Sequence, residues 1–237
     1  MKALIFILFA FAFCENGLSQ TYIGIKAQVG LSNPIGAAEK EANLVYDVNG
    51  IISHTQQLCL GWQHRKSIFF AHFGLASLGY SSQTTQGFTT TANYPQPGIG
   101  LPINLKIRLR FNYFDAGIGY SRLLSKKISI SSNIHYLIVH SVLSHAGFTF
   151  PNPEVNAPIG YGDFYWYKYT KEDKQFKDFK NGMAASLSFD YEMARRLFFS
   201  TSYLIGFKEF NPYNSQPGTR QRLHQNFSLG LEYRFKL

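Results

Sequence analysis

Ionisable side chains recur at every second position along several apolar segments of the sequence. They carry both signs of charge, with Lys106, Arg108 and Arg110 in one row and Asp190 and Glu192 in another. Residues at i and i+2 share one face of a β-strand, so opposite charges on neighbouring strands can pair across that face. We therefore predict an internal salt-bridge network made of Lys26, His72, Lys106, Arg108, Arg110, Asp115, His135, Asp190, Glu192, Lys208, Glu232 and Arg234.

Patterns for catalysis and metal binding are sparse. The sequence has no G-x-S-x-G, no H-E-x-x-H and no cysteine pair with metal-ligand spacing. His135, His140, Ser141 and Glu192 supply the residue types of a serine hydrolase, but the two histidines differ in parity and would face opposite sides of a strand. We expect no enzyme activity, no cofactor and no metal, and we keep a lipid-modifying enzyme as the alternative.

The N-terminal segment MKALIFILFAFAFCENGLSQ predicts a secretory signal peptide over residues 1–19. Its apolar run of about 11 residues is shorter than the roughly 20 that a spanning helix needs. Removal of this segment takes Cys14 away and leaves Cys59 alone, which excludes a disulfide framework. For an exported chain, the formal net charge of +9 favours acidic lipid headgroups or lipopolysaccharide as partners, and not nucleic acid.

A period of two in hydrophobicity runs through the remaining residues and predicts eight β-strands in one domain, 20–237. The predicted strands cover 23–31, 57–63, 69–76, 103–121, 128–138, 183–192, 197–208 and 227–237. In the fourth strand the apolar residues occupy odd positions up to Tyr113 and even positions from Phe114 onward. Because one extra residue flips every later side chain, this slip predicts a β-bulge near these two residues.

The predicted strands are joined by two kinds of connection that alternate strictly. Three are tight and basic, around residues 65–66, 126–127 and 195–196, and four are long, over 32–55, 82–102, 144–179 and 211–222. An even number of antiparallel strands with short turns at one end and long loops at the other is typical of an all-β, up-and-down transmembrane β-barrel. Such a barrel must be closed, because hydrocarbon leaves no partner for an unpaired backbone group.

The two faces of the predicted strands differ in chemistry. One face is aliphatic and aromatic, and the other is mostly Gly, Ser, Ala and Gln with some charges. A soluble lipocalin-like barrel would place large apolar residues inside, whereas here the small polar face fits a narrow lumen and the apolar face fits lipid. Aromatic residues near strand ends are candidates for a belt at the membrane interface: Tyr22, Trp62, Tyr120, Tyr191, Tyr203 and Tyr233.

The third long connection interleaves aromatic rings with lysines over residues 161–180. Rings beside cations commonly hold sugars, phosphates or a protein partner. We predict binding of a protein or glycan partner at an extracellular loop by Trp166, Tyr167, Lys168, Tyr169 and Lys171. The alternative is that this segment only extends the flanking strands above the membrane.

The start YIGIKAQVGLSNP and the end FSLGLEYRF resemble the small outer-membrane β-barrel proteins of the PorT-like and OmpA-like type. The resemblance implies an eight-stranded barrel with periplasmic termini, and for PorT-like members a role in a secretion or gliding machinery. The last strand, with Tyr233, Phe235 and Leu237 on its apolar face, also resembles the C-terminal signal read by the barrel assembly machinery.

These patterns predict an integral barrel of a Gram-negative outer membrane, with a closed lumen and a structural or partner-binding role. Two alternatives remain at this point. One is the lipid-modifying enzyme, and the other is a small anion-permeable pore whose path would follow the cationic row Lys106, Arg108 and Arg110.

Overall fold

A computed structural model describes residues 19–35, 40–41, 44–86, 88–89, 101–102, 104–149, 165–173, 181–206 and 223–237. Within those ranges no helix is long and apolar enough to cross a membrane. The predicted signal peptide lies outside them up to residue 18, as does Lys208. Ser19, at the predicted cleavage point, opens the first strand and pairs with His64.

Eight long strands form a closed antiparallel wall. They are β1 (Ser19–Ile35), β3 (Leu44–His64), β4 (Ser67–Gln86), β7 (Asn104–Leu123), β8 (Ile128–Thr149), β10 (Gly182–Ala194), β11 (Leu197–Gly206) and β12 (Leu223–Lys236). The order is β1-β12-β11-β10-β8-β7-β4-β3, and β3 pairs back onto β1, which closes the ring. The predicted fold class, an eight-stranded antiparallel barrel, is confirmed. Four short strands lie beyond the wall: β2 (Lys40–Glu41), β5 (Phe88–Thr89), β6 (Leu101–Pro102) and β9 (Tyr165–Tyr169).

The two ends of the barrel differ in their connections, as predicted. The tight connections follow His64, Leu123 and Ala194, and two of them place an arginine in the left-handed region, Arg65 at φ 55° and Arg196 at φ 70°. The first residues of β1 and the last residues of β12 lie at this same end, since Tyr22 pairs with both Gly61 and Lys236. We call this the turn end of the barrel and the opposite one the loop end.

Large apolar side chains cover the outside of the wall. Alternate residues point outward and are exposed, for example Ile118 at 66% and Leu187 at 62% of full exposure. Near the turn end, Trp62 stacks on Phe69 with ring centroids 5.4 Å apart, and Phe69 contacts Tyr120 at 5.2 Å. These rings fit the predicted belt. Tyr22 does not belong to it, because its side chain is 7% exposed and points into the lumen.

The inside of the barrel has two halves of different chemistry. At the turn end the inward side chains are mainly serine, amide, histidine and charged residues. Toward the loop end, the inward side chains of β4, β7, β8, β10 and β11 form an apolar cluster, here called the apolar plug: Ala76, Leu78, Tyr80, Leu109, Phe111, Tyr113, Leu137, Val139, Val142, Ala184 and Leu204. Beside it, β1, β3 and β12 bury polar side chains, among them Ser32, Ser53, His224 and Asn226. The predicted small and polar inner face is therefore wrong for the part of the lumen that the apolar plug occupies.

The predicted bulge near Tyr113 is present in the pairing of β7 with β8, but the extra residue is not on β7, where it was predicted. Leu109, Phe111 and Tyr113 are all buried and inward, and Asp115 continues the same parity, so β7 is one strand without a flip. The register shift lies on the partner strand, because Asn112 pairs with Ser141 and Tyr113 with Val139. The extra residue is thus on β8. The hydrophobic slip in β7 reflects the apolar plug, whose residues are large and apolar although they face inward.

Candidate functional site

Seven of the predicted network residues meet inside the turn-end half of the lumen. All are at least nine-tenths buried, and they come from six strands of the wall: Lys26, His72, Asp115, His135, Asp190, Glu232 and Arg234. The barrel is too narrow to leave these groups in bulk water, so each must find partners among its neighbours. They divide into two clusters.

Arg234 organises the first cluster. Its Nε donates to Glu232 Oε1 at 2.7 Å and its Nη2 donates to Glu232 Oε2 at 3.0 Å, a two-point contact of the kind that guanidinium and carboxylate favour. Asp190 lies 3.5 Å from the same guanidinium and 3.9 Å from Lys26 Nζ. The guanidinium also sits over the rings of Phe198 at 3.9 Å and Tyr22 at 5.3 Å. Two cations and two carboxylates therefore balance one another here.

The second cluster consists of two histidines and one aspartate. His135 Nδ1 lies 3.0 Å from Asp115 Oδ1, His72 Nε2 lies 3.4 Å from the same oxygen, and the two ring nitrogens are 3.1 Å apart. His72 and His135 flank Gly117 in register, one on each neighbouring strand. A Cβ on Gly117 would lie 2.6 Å from His72 Cε1. The glycine thus leaves the space in which the two imidazoles meet.

Neutral side chains fix the orientation of this second cluster. Gln57 Nε2 donates to Asp115 Oδ2 at 2.6 Å, and His135 Nε2 lies 2.8 Å from Ser186 Oγ. Asn133 Nδ2 donates to the same hydroxyl oxygen at 3.0 Å. These three residues were not predicted from the sequence, because only ionisable residue types were considered for the network. Their inward parity on β3, β8 and β10 was the available signal.

Five predicted network residues do not join the two clusters. Lys106 and Arg108 are exposed and Arg110 is half-exposed, because they share the outward parity of Phe114 and Ile118 on β7. Placing this cationic row in the lumen was wrong, and the reason is the continuous parity of β7. Glu192 is half-buried at the turn end, where its Oε1 accepts from Arg196 N at 3.1 Å. Lys208 lies outside the described residues.

The cationic row instead forms part of an outward surface near the loop end. Arg110 pairs in register with Leu143 and Arg108 with His145, and Leu143 in turn pairs with Lys168 of β9. Lys106, Arg108 and Arg110 of β7 and Lys168 of β9 therefore point outward from the two strands that flank β8, and we call these four residues the cationic surface. Desolvation, then Arg108 and Lys106, lower the pKa of His145, which agrees with this crowding of positive charge.

The predicted loop-binding residues fall on β9 and just after it. β9 pairs with β8 from Val142 to Ala146, so this part of the long connection does extend the wall. Lys168 and Lys171 are exposed, whereas Tyr169 is half-buried and packs against the apolar plug. The side chains of Trp166 and Tyr167 lie outside the described part of the structure. Partner binding by this segment stays a prediction.

The residues of the predicted assembly signal all face outward on β12. Tyr233, Phe235 and Leu237 are exposed by 38%, 44% and 74%, and the first two rings contact edge to face at 4.7 Å. Their placement agrees with an apolar strip at the turn end. Recognition of this strip by an assembly machinery stays a prediction.

Comparisons with known proteins return only distant structural similarity. No protein-family model and no curated protein matches the chain. Among solved structures, the chain is similar to Ail, the attachment invasion locus protein of Yersinia pestis, with 12% identity, a TM-score of 0.41, and coverage of 92% of this chain and 100% of the other. It is also similar to the outer membrane protein OprG from Pseudomonas aeruginosa, with 10% identity, a TM-score of 0.41 and coverage of 92% and 98%.

A third similar structure is the outer membrane protease OmpT from Escherichia coli, with 10% identity, a TM-score of 0.40 and coverage of 93% of this chain and 99% of the other. At these values the assignment of the barrel rests on its own hydrogen-bonded wall, described above.

Proposed function

We propose that this protein is an integral barrel of a Gram-negative outer membrane, with a non-conducting lumen, periplasmic termini and a structural or partner-binding role. One observation carries the proposal: large apolar side chains are exposed outside the wall, while charged and polar ones are buried within it. In water this exterior would be a continuous apolar surface, which soluble monomers rarely expose. In hydrocarbon it is the favoured surface, and the closed wall pairs its backbone groups.

The contents of the lumen support a closed barrel. The apolar plug occupies one side of the loop-end half, and cavities of about 20 Å³ each lie in the turn-end half and at its boundary with the plug. Such a cavity has room for about one water molecule and not for a column of hydrated ions. Lys106 and Arg108 lie outside the lumen, so the cationic row does not line an anion path through the barrel. Planar-bilayer recordings should therefore show no steady conductance, and stable anion-selective channels would reject this proposal.

Membrane integration is tested by moving one charge along the outer face of β12. Leu231→Arg places a cation near the middle of the apolar band and should cost about 2–4 kcal/mol of folding free energy in lipid vesicles. The matched control is Leu237→Arg, which adds the same charge at the turn end and should cost about 0–1 kcal/mol. Equal costs for the two variants would contradict a lipid-facing wall.

The cationic surface gives the barrel a binding role. Its side chains point outward just beyond the apolar band, at the depth where a wall in a bilayer meets headgroups. Guanidinium groups bind phosphate oxygens through paired hydrogen bonds. We therefore propose lipopolysaccharide phosphates as the partner of Lys106, Arg108, Arg110 and Lys168. The resemblance to PorT-like proteins adds a secretion or gliding machinery as the setting, with the aromatic loop segment around Trp166 as the surface for a protein partner.

Lipopolysaccharide binding is tested with charge-matched variants at the two ends of the barrel. Replacing Lys106, Arg108 and Arg110 by Gln should reduce the lipopolysaccharide retained by detergent-solubilised protein, and salt should weaken retention by the wild type. The control removes three exposed cations at the turn end, Lys66, Lys126 and Lys127. Equal losses in both triple variants would show a response to net charge alone and would reject the site.

A hydrolase is the second candidate, and one observation favours it. Ser186, His135 and Asp115 stand in the order of nucleophile, base and orienting acid, with 2.8 Å and 3.0 Å between successive polar atoms. All three side chains are at least nine-tenths buried, so the lumen offers an acyl substrate little access. A fluorophosphonate probe should label Ser186 if the relay is active, and no labelling of folded wild-type protein would reject a hydrolase.

A further inference from the structure

The two histidines and the aspartate of the second cluster have the geometry of a metal site. The distances between His72 Nε2, His135 Nδ1 and Asp115 Oδ1 are 3.1, 3.0 and 3.4 Å. Zinc binds such ligands at about 2.0–2.1 Å, and a tetrahedron with those bonds has edges of about 3.3 Å. The three atoms therefore form one face of a tetrahedron of the size that zinc requires, and an ion above that face could contact all three.

The charge balance of the lumen also favours a cation at this point. Among the described residues, the buried fixed charges are the two cations Lys26 and Arg234 against the three carboxylates Asp115, Asp190 and Glu232. The first cluster pairs both cations with Asp190 and Glu232. Asp115 lies outside these ion pairs, and the groups beside it that can carry a positive charge are the two histidines. A buried carboxylate without a full counter-charge is costly, and a divalent ion would compensate it.

The side chains that hydrogen-bond to the three ligand residues also fit a metal site. Metal-bound histidines usually place their second nitrogen on a hydrogen-bond acceptor, which fixes the tautomer. His135 Nε2 lies 2.8 Å from Ser186 Oγ, and that oxygen also accepts from Asn133 Nδ2. Gln57 holds the other oxygen of Asp115 at 2.6 Å. With Nε2 donating to Ser186, Nδ1 of His135 keeps the lone pair that a metal needs.

We propose that His72, His135 and Asp115 form a lumen site for one divalent transition-metal ion, with zinc as the best fit. Imidazole and carboxylate ligands suit zinc, and a water in the adjoining cavity, lined by Gln57 and Asn133, would supply the fourth ligand. Lys26 and Arg234 line the same cavity, and among the described residues they are the two buried cations that oppose the ion there. The ion would tie together β4, β7 and β8 at the centre of the polar half.

The experiment uses the untagged full barrel, because a histidine tag would bind metal itself. The protein is unfolded in urea, freed of metal, and refolded in detergent micelles with Zn²⁺ or with EDTA, since the site is buried in the closed wall. Zinc retained per folded chain is then measured by mass spectrometry, with folding judged by heat-modifiable migration. The wild type should retain about one ion per chain, and Co²⁺ in its place should show the strong visible bands of tetrahedral coordination.

Variants separate this site from other histidines. His72→Gln and Asp115→Asn each remove one ligand with little change of shape and should abolish retention, whereas Ser186→Ala should weaken affinity by about 10–100-fold. The control, His224→Gln, changes a buried lumen histidine outside the cluster and should retain the ion.

Either of two zinc-retention results would overturn the proposal. One is a wild type that holds well under about half an ion per chain, and the other is equal retention by His72→Gln and wild type. If the ligand variants fail to fold, the wild type alone decides, because Zn²⁺ must then raise its urea midpoint relative to EDTA and Co²⁺ must give tetrahedral bands. Labelling of Ser186 by a fluorophosphonate in folded protein refolded with Zn²⁺ would also count against the site, since the hydrolase requires the opposite tautomer of His135.

Discussion

The two halves of the lumen are built on the same wall but solve the problem of filling it differently. At the loop end, Leu78, Phe111 and Tyr113 are 1% exposed and pack as an apolar core. At the turn end, buried space is filled by ion pairs and hydrogen bonds around Asp115, Asp190 and Arg234. Strand alternation alone decides which residues point inward. The residue type that is stable at each inward position depends on the side chains that it meets across the lumen.

The comparison teaches that the two halves should respond differently to substitution. Apolar contacts are non-directional, and truncating an apolar side chain leaves a cavity. The loss of folding free energy therefore increases with the volume removed. In a polar network, removing one partner leaves another buried group without a hydrogen bond. The loss of folding free energy therefore depends on which group remains unpaired.

The largest effect is expected in the apolar plug. Phe111→Ala removes a ring that is 1% exposed and should cost about 3–5 kcal/mol of folding free energy, measured by urea unfolding in lipid vesicles. The control on the same strand is Ile118→Ala, which shortens an outward side chain that lipid can replace and leaves no cavity. An equal cost for both variants would show that the loop-end half is not a packed core.

A smaller effect is expected in the first polar cluster. Glu232→Gln keeps the shape of the side chain but removes the charge that Arg234 contacts twice, and should cost about 1.5–3 kcal/mol. Combining it with Arg234→Met removes the orphaned cation too, and most of the loss should be recovered. If the double variant is no better than the single one in the same unfolding assay, the pair does not act as a unit.

The smallest effects compare one hydroxyl group in the two halves. Ser202→Ala removes a hydroxyl that lies 2.7 Å from Ser228 Oγ and should cost about 1 kcal/mol. Val142→Thr replaces a methyl group inside the apolar plug by a hydroxyl of similar size. It should also destabilise the barrel, by about 1–3 kcal/mol, because the hydroxyl would be buried among apolar side chains. A stabilising Val142→Thr would contradict the apolar character of that half.

Much of the architecture could be predicted from the sequence. Period-two alternation located all eight wall strands, and the basic turns located the turn end, because both signals are local and are set by the pleat and the turn. The inward placement of Lys26, Asp115 and Glu232 also followed from parity alone. The first and last residues of the strands could not be predicted, because several strands continue past the apolar band and pair there without a hydrophobic pattern.

The errors on β7 share one physical cause. Faces were assigned by hydrophobicity, so Leu109, Phe111 and Tyr113 of the apolar plug were predicted to face lipid and Arg108 was predicted to face the lumen. Only the pairing of β7 with its neighbours fixes its parity. Likewise, the meeting of His72 and His135 over Gly117 depends on strand register, which no single segment encodes.

The lipid-facing wall is tested most directly at outward positions along β7, in protein folded into lipid vesicles. A nitroxide is attached to a cysteine placed at Ile118, Phe114, Asn112, Arg110 or Arg108 in a Cys59→Ser background, and its exposure to oxygen and to a water-soluble nickel complex is measured. We expect high oxygen and low nickel exposure at Ile118 and Phe114, with a change to nickel exposure by Arg108, since the apolar band ends between them. Nickel exposure at Ile118 equal to that at Arg108 would contradict a barrel with its apolar face in lipid.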